Sequence, residues 1–176
     1  FIIPAQNDTW WHLHSGRAMW ETRSLLTTER FSFASGGAPL DNHWWLTQLV
    51  FFLLYRVGGP LLLTVGAGVC AFGAVAGSFR LVRGSTETRL LLLLGLMLCT
   101  APEWSVRPQV VSLAMLVAAA HLVSTGRVWW LPLVCVLWGN FHAMVIFGVV
   151  VAGALALESI LWSRERWGVC PAFEGV

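Results

Sequence analysis

Long apolar runs separated by short polar breaks dominate the chain after residue 43. The runs cover residues 44–55, 61–79, 90–104, 108–126 and 128–162. A transmembrane helix needs about 20 predominantly apolar residues, and several of these runs approach or exceed that length. The pattern therefore predicts an all-α polytopic membrane protein with five or six transmembrane helices between residues 44 and 162.

The longest run, residues 128–162, exceeds the length of one crossing. As a single helix it would extend over roughly 50 Å, whereas the hydrocarbon core of a bilayer is about 30 Å thick. A break is predicted at Gly139-Asn140-Phe141-His142. A second breaker, Gly58-Gly59-Pro60, ends the short run that begins at Trp44, since Gly and Pro interrupt helices.

The first 43 residues are polar and mixed, with a helix predicted around Trp10–Thr22 and a Gly/Pro/Asn turn region over residues 31–43. We therefore divide the chain into an extracytoplasmic cap, a transmembrane bundle and a cytoplasmic tail. Their predicted bounds are 1–43, 44–162 and 163–176.

The arginines leave two topologies open in a membrane with a cytoplasmic and an outer face. If 44–57 spans the bilayer, residues 1–43 share the basic side with loop 80–89 and the C-terminus, which the positive-inside rule assigns to the cytoplasm. If 44–57 lies in the interface, residues 1–43 face outward while the same loop and terminus face inward. Charge alone slightly favours the first arrangement, and the family resemblance given below favours the second.

Composition excludes several classes of protein. Charged residues make up 11% of the chain and hydrophobic residues 57%, against roughly 25% charged residues in a soluble domain. The net charge of +2 is too small and scattered for a nucleic-acid-binding surface. The four cysteines, Cys70, Cys99, Cys135 and Cys170, show no metal-ligand spacing. The first three lie inside apolar runs, as small buried hydrophobic residues do.

The order of several motifs resembles that of bacterial membrane proteins related to the GT-C glycosyltransferases, which use dolichyl- or polyprenyl-phosphate sugars. The segments are "DTWWHLHSG" from Asp8, "RPQVVS" from Arg107 and "LPLVCVLWGNFH" ending at His142. The resemblance covers nearly all of residues 8–142. It implies that Asp8 lies in the first extracytoplasmic loop, where it coordinates a divalent metal or acts as the base that activates an acceptor.

The resemblance also implies a lipid-phosphate site at the outer membrane face, because the other polar residues of these motifs would converge there. The expected lipid- or substrate-binding residues are His12, His43, Arg107, Asn140 and His142. Tryptophans near them would position a lipid tail or a sugar face.

Simpler interpretations exist for the same residues. Asp8 is equally well explained as the cap of a helix that begins near Thr9. Arg107 can form a surface ion pair with Glu103 across a turn. The tryptophan pairs are typical of the aromatic belts that anchor helices at membrane interfaces.

The chain also departs from the family pattern, since Trp44 occupies a position where an acid is expected and the chain is shorter than the family's membrane core. On these grounds the sequence predicts a non-catalytic integral membrane subunit of a larger bacterial complex, photosynthetic or respiratory, that packs against lipids and other transmembrane subunits. Pigment or lipid contacts would suit such a subunit. The alternative is part of a glycosyltransferase, with a divalent metal as its cofactor.

Overall fold

A computed structural model describes residues 7–82, 84–101, 105–151 and 153. Every regular element within these residues is helical, apart from an isolated antiparallel bridge between Thr28 and Pro39 in a loop. The helices are α1 (Asn7–Thr22), α2 (Trp45–Leu81), α3 (Thr86–Thr100), α4 (Pro108–Ser124), a 3₁₀ turn (Val128–Trp130) and α5 (Leu131–Phe141). The predicted all-α class is confirmed for this part of the chain. The predicted tail, residues 163–176, lies outside the described residues.

The helix predicted near Trp10–Thr22 is confirmed as α1, which packs against the beginning of α2. Leu13 and Met19 are buried in this contact region. Gly16 permits an unusually close approach, because a Cβ atom at this position would lie 2.1 Å from the carbonyl oxygen of Gln48. The α1–α2 packing therefore requires a residue without a side chain here.

The predicted break at Gly58-Gly59-Pro60 is confirmed as a sharp turn inside α2. Gly59 has φ 62° and ψ −154°, a backbone conformation that is essentially restricted to glycine. A Cβ atom on Gly66 would lie 2.9 Å from Leu54 Cδ1, although these residues would be about 18 Å apart along a straight helix. The chain therefore folds back, and α2 consists of a first arm, residues 45–57, packed beside a second arm, residues 60–81.

The lengths of the helices bear on the membrane prediction. Within the described residues, α2 is the one helix that is both long and apolar enough to cross a membrane. The helices α3, α4 and α5 contain 15, 17 and 11 residues. The first arm of α2 is about 20 Å long at 1.5 Å per residue, which is shorter than the hydrocarbon core. The five or six crossings stay a prediction.

The chain direction places two sets of loops at opposite ends of the helices. Ala67 and Val110 belong to one buried cluster, and Gly77 packs against Val117. The second arm of α2 and α4 therefore run parallel. The end of α2 and the start of α3, together with loop 125–127, consequently lie at one end, while the start of α4 lies at the other end with α1.

The predicted break near Asn140 is confirmed. α5 ends at Phe141, His142 adopts extended backbone angles (φ −166°, ψ 144°), and helix resumes at residue 145. Thr47 donates a hydrogen bond to the carbonyl oxygen of Phe141 at 2.7 Å. The Phe141 carbonyl, at the end of α5, has no partner within its own helix. The bond from Thr47 supplies one and holds the break next to the first turn of α2.

Candidate functional site

The segments that carry the predicted site residues meet at the end of the structure where α1 contacts the start of α4. Four parts of the chain contribute: the first turns of α1, residues 43–48, residues 105–107, and the break after α5. We define the polar site as Asp8, His12, His43, Arg107, Asn140 and His142.

Asp8 and Arg107 form an ion pair across this end of the fold. The Arg107 Nη2 atom lies 2.6 Å from Asp8 Oδ2, and their side chains are 30% and 57% exposed. Next to the pair, the Thr9 hydroxyl donates to the carbonyl oxygen of Val106 at 3.0 Å. The guanidinium and the hydroxyl together attach the start of α1 to the segment before α4.

This ion pair corrects one of the simpler interpretations. Asp8 does not precede α1 as a cap, because the helix begins at Asn7 and Asp8 lies inside its first turn. The carboxylate still has the sign that the positive end of the helix dipole favours. Glu103, the other suggested partner of Arg107, lies outside the described residues.

His12 is buried and held by an amide network. Gln48 Nε2 lies 3.4 Å from His12 Nδ1, and Gln48 Oε1 accepts a hydrogen bond from Asn42 Nδ2 at 2.9 Å. With the Gln48 amide in this orientation, its nitrogen donates to His12 Nδ1, which places the ring proton on Nε2. Burial lowers the pKa of His12 to about 4, more strongly than the charge of Asp8 raises it; the charges of His142 and Arg107 add smaller decreases.

His142 is held in the same tautomer by a second network. It lies in the non-helical turn after α5, where the Met144 backbone N–H donates to its Nδ1 at 3.3 Å. The Ser112 hydroxyl lies 3.1 Å from the same atom and accepts from Trp138 Nε1 at 2.9 Å. Nδ1 is therefore an acceptor, and the ring proton lies on Nε2. Burial, and then the charge of His43, lowers the pKa of His142.

The remaining residues of the polar site have packing partners. Asn140 accepts a hydrogen bond from Trp45 Nε1 at 2.9 Å and donates to the carbonyl oxygen of Val136 at 2.7 Å. Both ends of its amide are therefore used to hold the break. His43 packs against Trp44 with ring centroids 3.8 Å apart.

Tryptophans at the site differ from those expected in an aromatic belt. Trp44 contacts the rings of Trp11 and His12 with centroid distances of 5.9 and 6.1 Å. Trp129 and Trp130, in contrast, are exposed. Trp11 and Trp44 pack within the site, whereas Trp129 and Trp130, like Trp10, have the exposure that a belt requires.

No family model, curated protein sequence or solved structure matches this chain. The polar site is therefore characterised by its own geometry. It combines a partly exposed carboxylate–guanidinium pair with two neutral imidazoles whose Nε2–H groups donate no hydrogen bond within the described part of the chain. The guanidinium and the imidazole N–H groups can bind an anion, and the carboxylate can accept a proton.

Several residues that position the site were not identified from the sequence. Gln48 and Ser112 contact His12 and His142 directly. Thr9 bonds to Val106 beside Arg107, and Trp138 donates to Ser112. Ser112 and Trp138 lie within the quoted motifs, but the spacing of the motifs did not show that these two residues contact each other. Gln48 carried a simpler signal, because it is a polar residue within an apolar run.

The neutral state of His12 predicts that stability depends on pH. Its folded pKa, about 4, lies below the unfolded value of 6.5, so the unfolded chain binds the proton more readily between these values. The free energy of unfolding should be constant above about pH 6.5 and fall by roughly 3 kcal/mol in total as the pH decreases toward 4. Thermal unfolding of the detergent-solubilised chain measures this loss.

The exposed His14 on the same helix supplies a control for this measurement. His12→Gln should remove most of the decrease in stability below pH 6.5, whereas His14→Gln should retain it. An identical pH profile for His12→Gln and the unmodified chain would show that His12 is not held neutral by burial.

Proposed function

We propose that this chain forms part of a lipid-phosphate-sugar-dependent glycosyltransferase that acts at the outer face of the bacterial inner membrane. One arrangement carries the proposal: the Asp8–Arg107 pair remains partly exposed beside two buried histidines whose N–H donors have no partner among the described residues. A base, a guanidinium and neutral donors are the groups that transfer from a sugar phosphate requires.

In the proposed reaction, the phosphate of the lipid-linked sugar competes with Asp8 for Arg107, whose planar fork suits phosphate oxygens. The released Asp8 carboxylate accepts the proton of an acceptor hydroxyl while that oxygen bonds to the anomeric carbon. The bond between this carbon and the phosphate oxygen breaks, and the lipid phosphate leaves as an anion. Arg107 and the Nε2–H groups of His12 and His142 stabilise this anion without changing their own protonation.

The divalent metal that the family resemblance implies does not fit the donors in the described residues. No group of three His, Cys, Asp or Glu side chains in that part of the chain is placed to hold a metal ion. Asp8 already contacts Arg107, whereas magnesium and calcium prefer several oxygen ligands. The proposed reaction therefore uses Asp8 as a base and includes no step through a metal.

The proposed membrane placement is multi-pass, with the polar site outside. Most leucines of α3 are exposed, including Leu91 at 70% and Leu98 at 69%, and lipid would cover this apolar surface. Arg80, Arg89 and Arg127 flank the loops at the end remote from the polar site. The positive-inside rule assigns such short basic loops to the cytoplasm.

Cysteine labelling tests this placement. In a chain without its native cysteines, Ser35→Cys should react with an impermeant maleimide added outside intact cells, because residue 35 belongs to the exposed loop between α1 and α2. Ser85→Cys, at the opposite end, should react only after the membrane is permeabilised. Labelling of position 85 alone from outside would reverse the proposed topology.

A non-catalytic membrane subunit is the second candidate, and the ion pair supplies its support. In this candidate, Asp8 and Arg107 satisfy each other, and the role of the pair is to attach α1 to the start of α4. Other transmembrane subunits, with or without pigment contacts, would then cover α3.

Transfer of radiolabelled sugar from a polyprenyl-phosphate sugar by the purified chain distinguishes the two candidates. Detectable transfer supports the enzyme. Absence of transfer, together with co-purification in a stable complex, supports the subunit.

A further inference from the structure

A second cleft lies on the side of α1 that does not contribute to the polar site. It has a volume of about 700 Å³ and lies between α1 and the first arm of α2. Its lining combines aromatic rings, among them Trp10, Trp20 and Tyr55, with the guanidinium groups of Arg17 and Arg56. None of the residues of the polar site lines it.

The cleft has an excess of positive charge. Arg17 is paired with Glu21, with 2.8 Å between Nε and Oε1. Arg56 has no carboxylate partner within the described residues, and its guanidinium carbon lies 5.3 Å from the centroid of the Trp20 ring. Arg56 is therefore a cation of the cleft without a carboxylate to neutralise it, and such a charge attracts an anion.

The lining also specifies what the anion is attached to. Leu13 and Phe52 provide apolar surface next to the charged groups, and the Tyr55 hydroxyl makes no hydrogen bond within the described part of the chain. A ligand that fills this cleft therefore needs a negative group, hydrogen-bonding oxygens and an apolar body. Guanidinium forks bind phosphate oxygens, and basic pockets beside membrane helices bind lipid headgroups.

We propose that this cleft binds the phosphodiester headgroup of an anionic phospholipid, with Arg56 on the phosphate and the aromatic rings against the start of the acyl chains. This rests on the membrane placement in the proposed function and is independent of sugar transfer. The bound headgroup would hold α1 at the depth of the interface, where tryptophan and tyrosine side chains are stable.

Binding of short-chain lipids to the full, detergent-solubilised chain tests the proposal. Dihexanoyl-phosphatidylglycerol should bind more tightly than dihexanoyl-phosphatidylcholine. Arg56→Gln should weaken phosphatidylglycerol binding by about fivefold to tenfold and leave phosphatidylcholine binding unchanged. Tyr55→Phe should cause a smaller loss, and it provides a second test if Arg56→Gln does not fold.

Arg30→Gln is the matched control, because Arg30 is an exposed arginine in the loop after α1 and does not line the cleft. It should retain the affinity for phosphatidylglycerol. Equal binding of both lipids, equal losses in Arg30→Gln and Arg56→Gln, or displacement by inorganic phosphate at the same concentration as the lipid would overturn the proposal. Carbonate extraction of the chain from membranes would instead contradict the membrane placement itself.

Discussion

Asp8→Asn is expected to reduce sugar transfer by at least about 100-fold, because a positioned base contributes roughly 10²–10⁴ to the rate. The amide keeps the shape of the side chain but cannot accept the proton of the acceptor hydroxyl. The fold should persist, since the Asp8 side chain is 57% exposed and the pair with Arg107 is not buried. Transfer from a polyprenyl-phosphate sugar and thermal unfolding, measured on the same preparation, check both statements.

A charge exchange separates catalysis from attachment. The double variant Asp8→Arg with Arg107→Asp can re-form an ion pair between α1 and the start of α4. If the pair only attaches these segments, the exchange should restore the stability and assembly lost in Arg107→Asp alone. In the proposed enzyme, transfer stays absent in all of these variants. Full transfer by Asp8→Asn would refute the role of Asp8 as a base.

Gly16→Ala is expected to destabilise the packing of α1 against α2. The new Cβ atom would lie 2.1 Å from the Gln48 carbonyl oxygen and 2.8 Å from Phe52 Cβ. Because the nearest atom belongs to the backbone of α2, a rotamer change cannot relieve the overlap, and α1 must move. Overpacking typically costs about 1–3 kcal/mol. Displacement of α1 should also separate Asp8 from Arg107 and abolish transfer.

Gly73→Ala provides the control for Gly16→Ala. A Cβ atom on Gly73 meets nothing within 4 Å, and alanine is favoured over glycine in a helix by up to about 1 kcal/mol. Thermal unfolding should therefore show a lower midpoint for Gly16→Ala and an unchanged or higher one for Gly73→Ala. Equal midpoints would mean that α1 and α2 do not approach this closely.

The helices of this protein follow from local sequence. Apolar runs predicted where most of them lie, and Gly-Pro and Gly-Asn pairs predicted the breaks in α2 and after α5. These signals are local because each residue's backbone preference acts on its own turn of helix. The fold-back of α2 is different. A break permits many directions, and the packing of Leu54 against Gly66 selects one of them.

The predicted site residues lie close together, yet their roles depend on distant partners. From the sequence, Asp8 was equally consistent with a cap or a base, and Arg107 had Glu103 as its nearest acidic partner. The Asp8–Arg107 pair joins residues far apart in the chain. No local preference contains such information, because it exists only once α1 has packed against the start of α4.

The protonation of the histidines likewise depends on tertiary contacts and not on local sequence alone. The sequence by itself determined that His12 and His142 occur beside helix breaks and helix starts, among aromatic and polar residues. Only the tertiary structure decided that both rings are buried and hydrogen-bonded by other helices. Gln48 of α2 reaches His12, and Ser112 of α4 reaches His142 beside the local Met144 N–H. The physical reason is that burial and hydrogen-bond direction set the state of an imidazole, and both arise from residues brought together by folding.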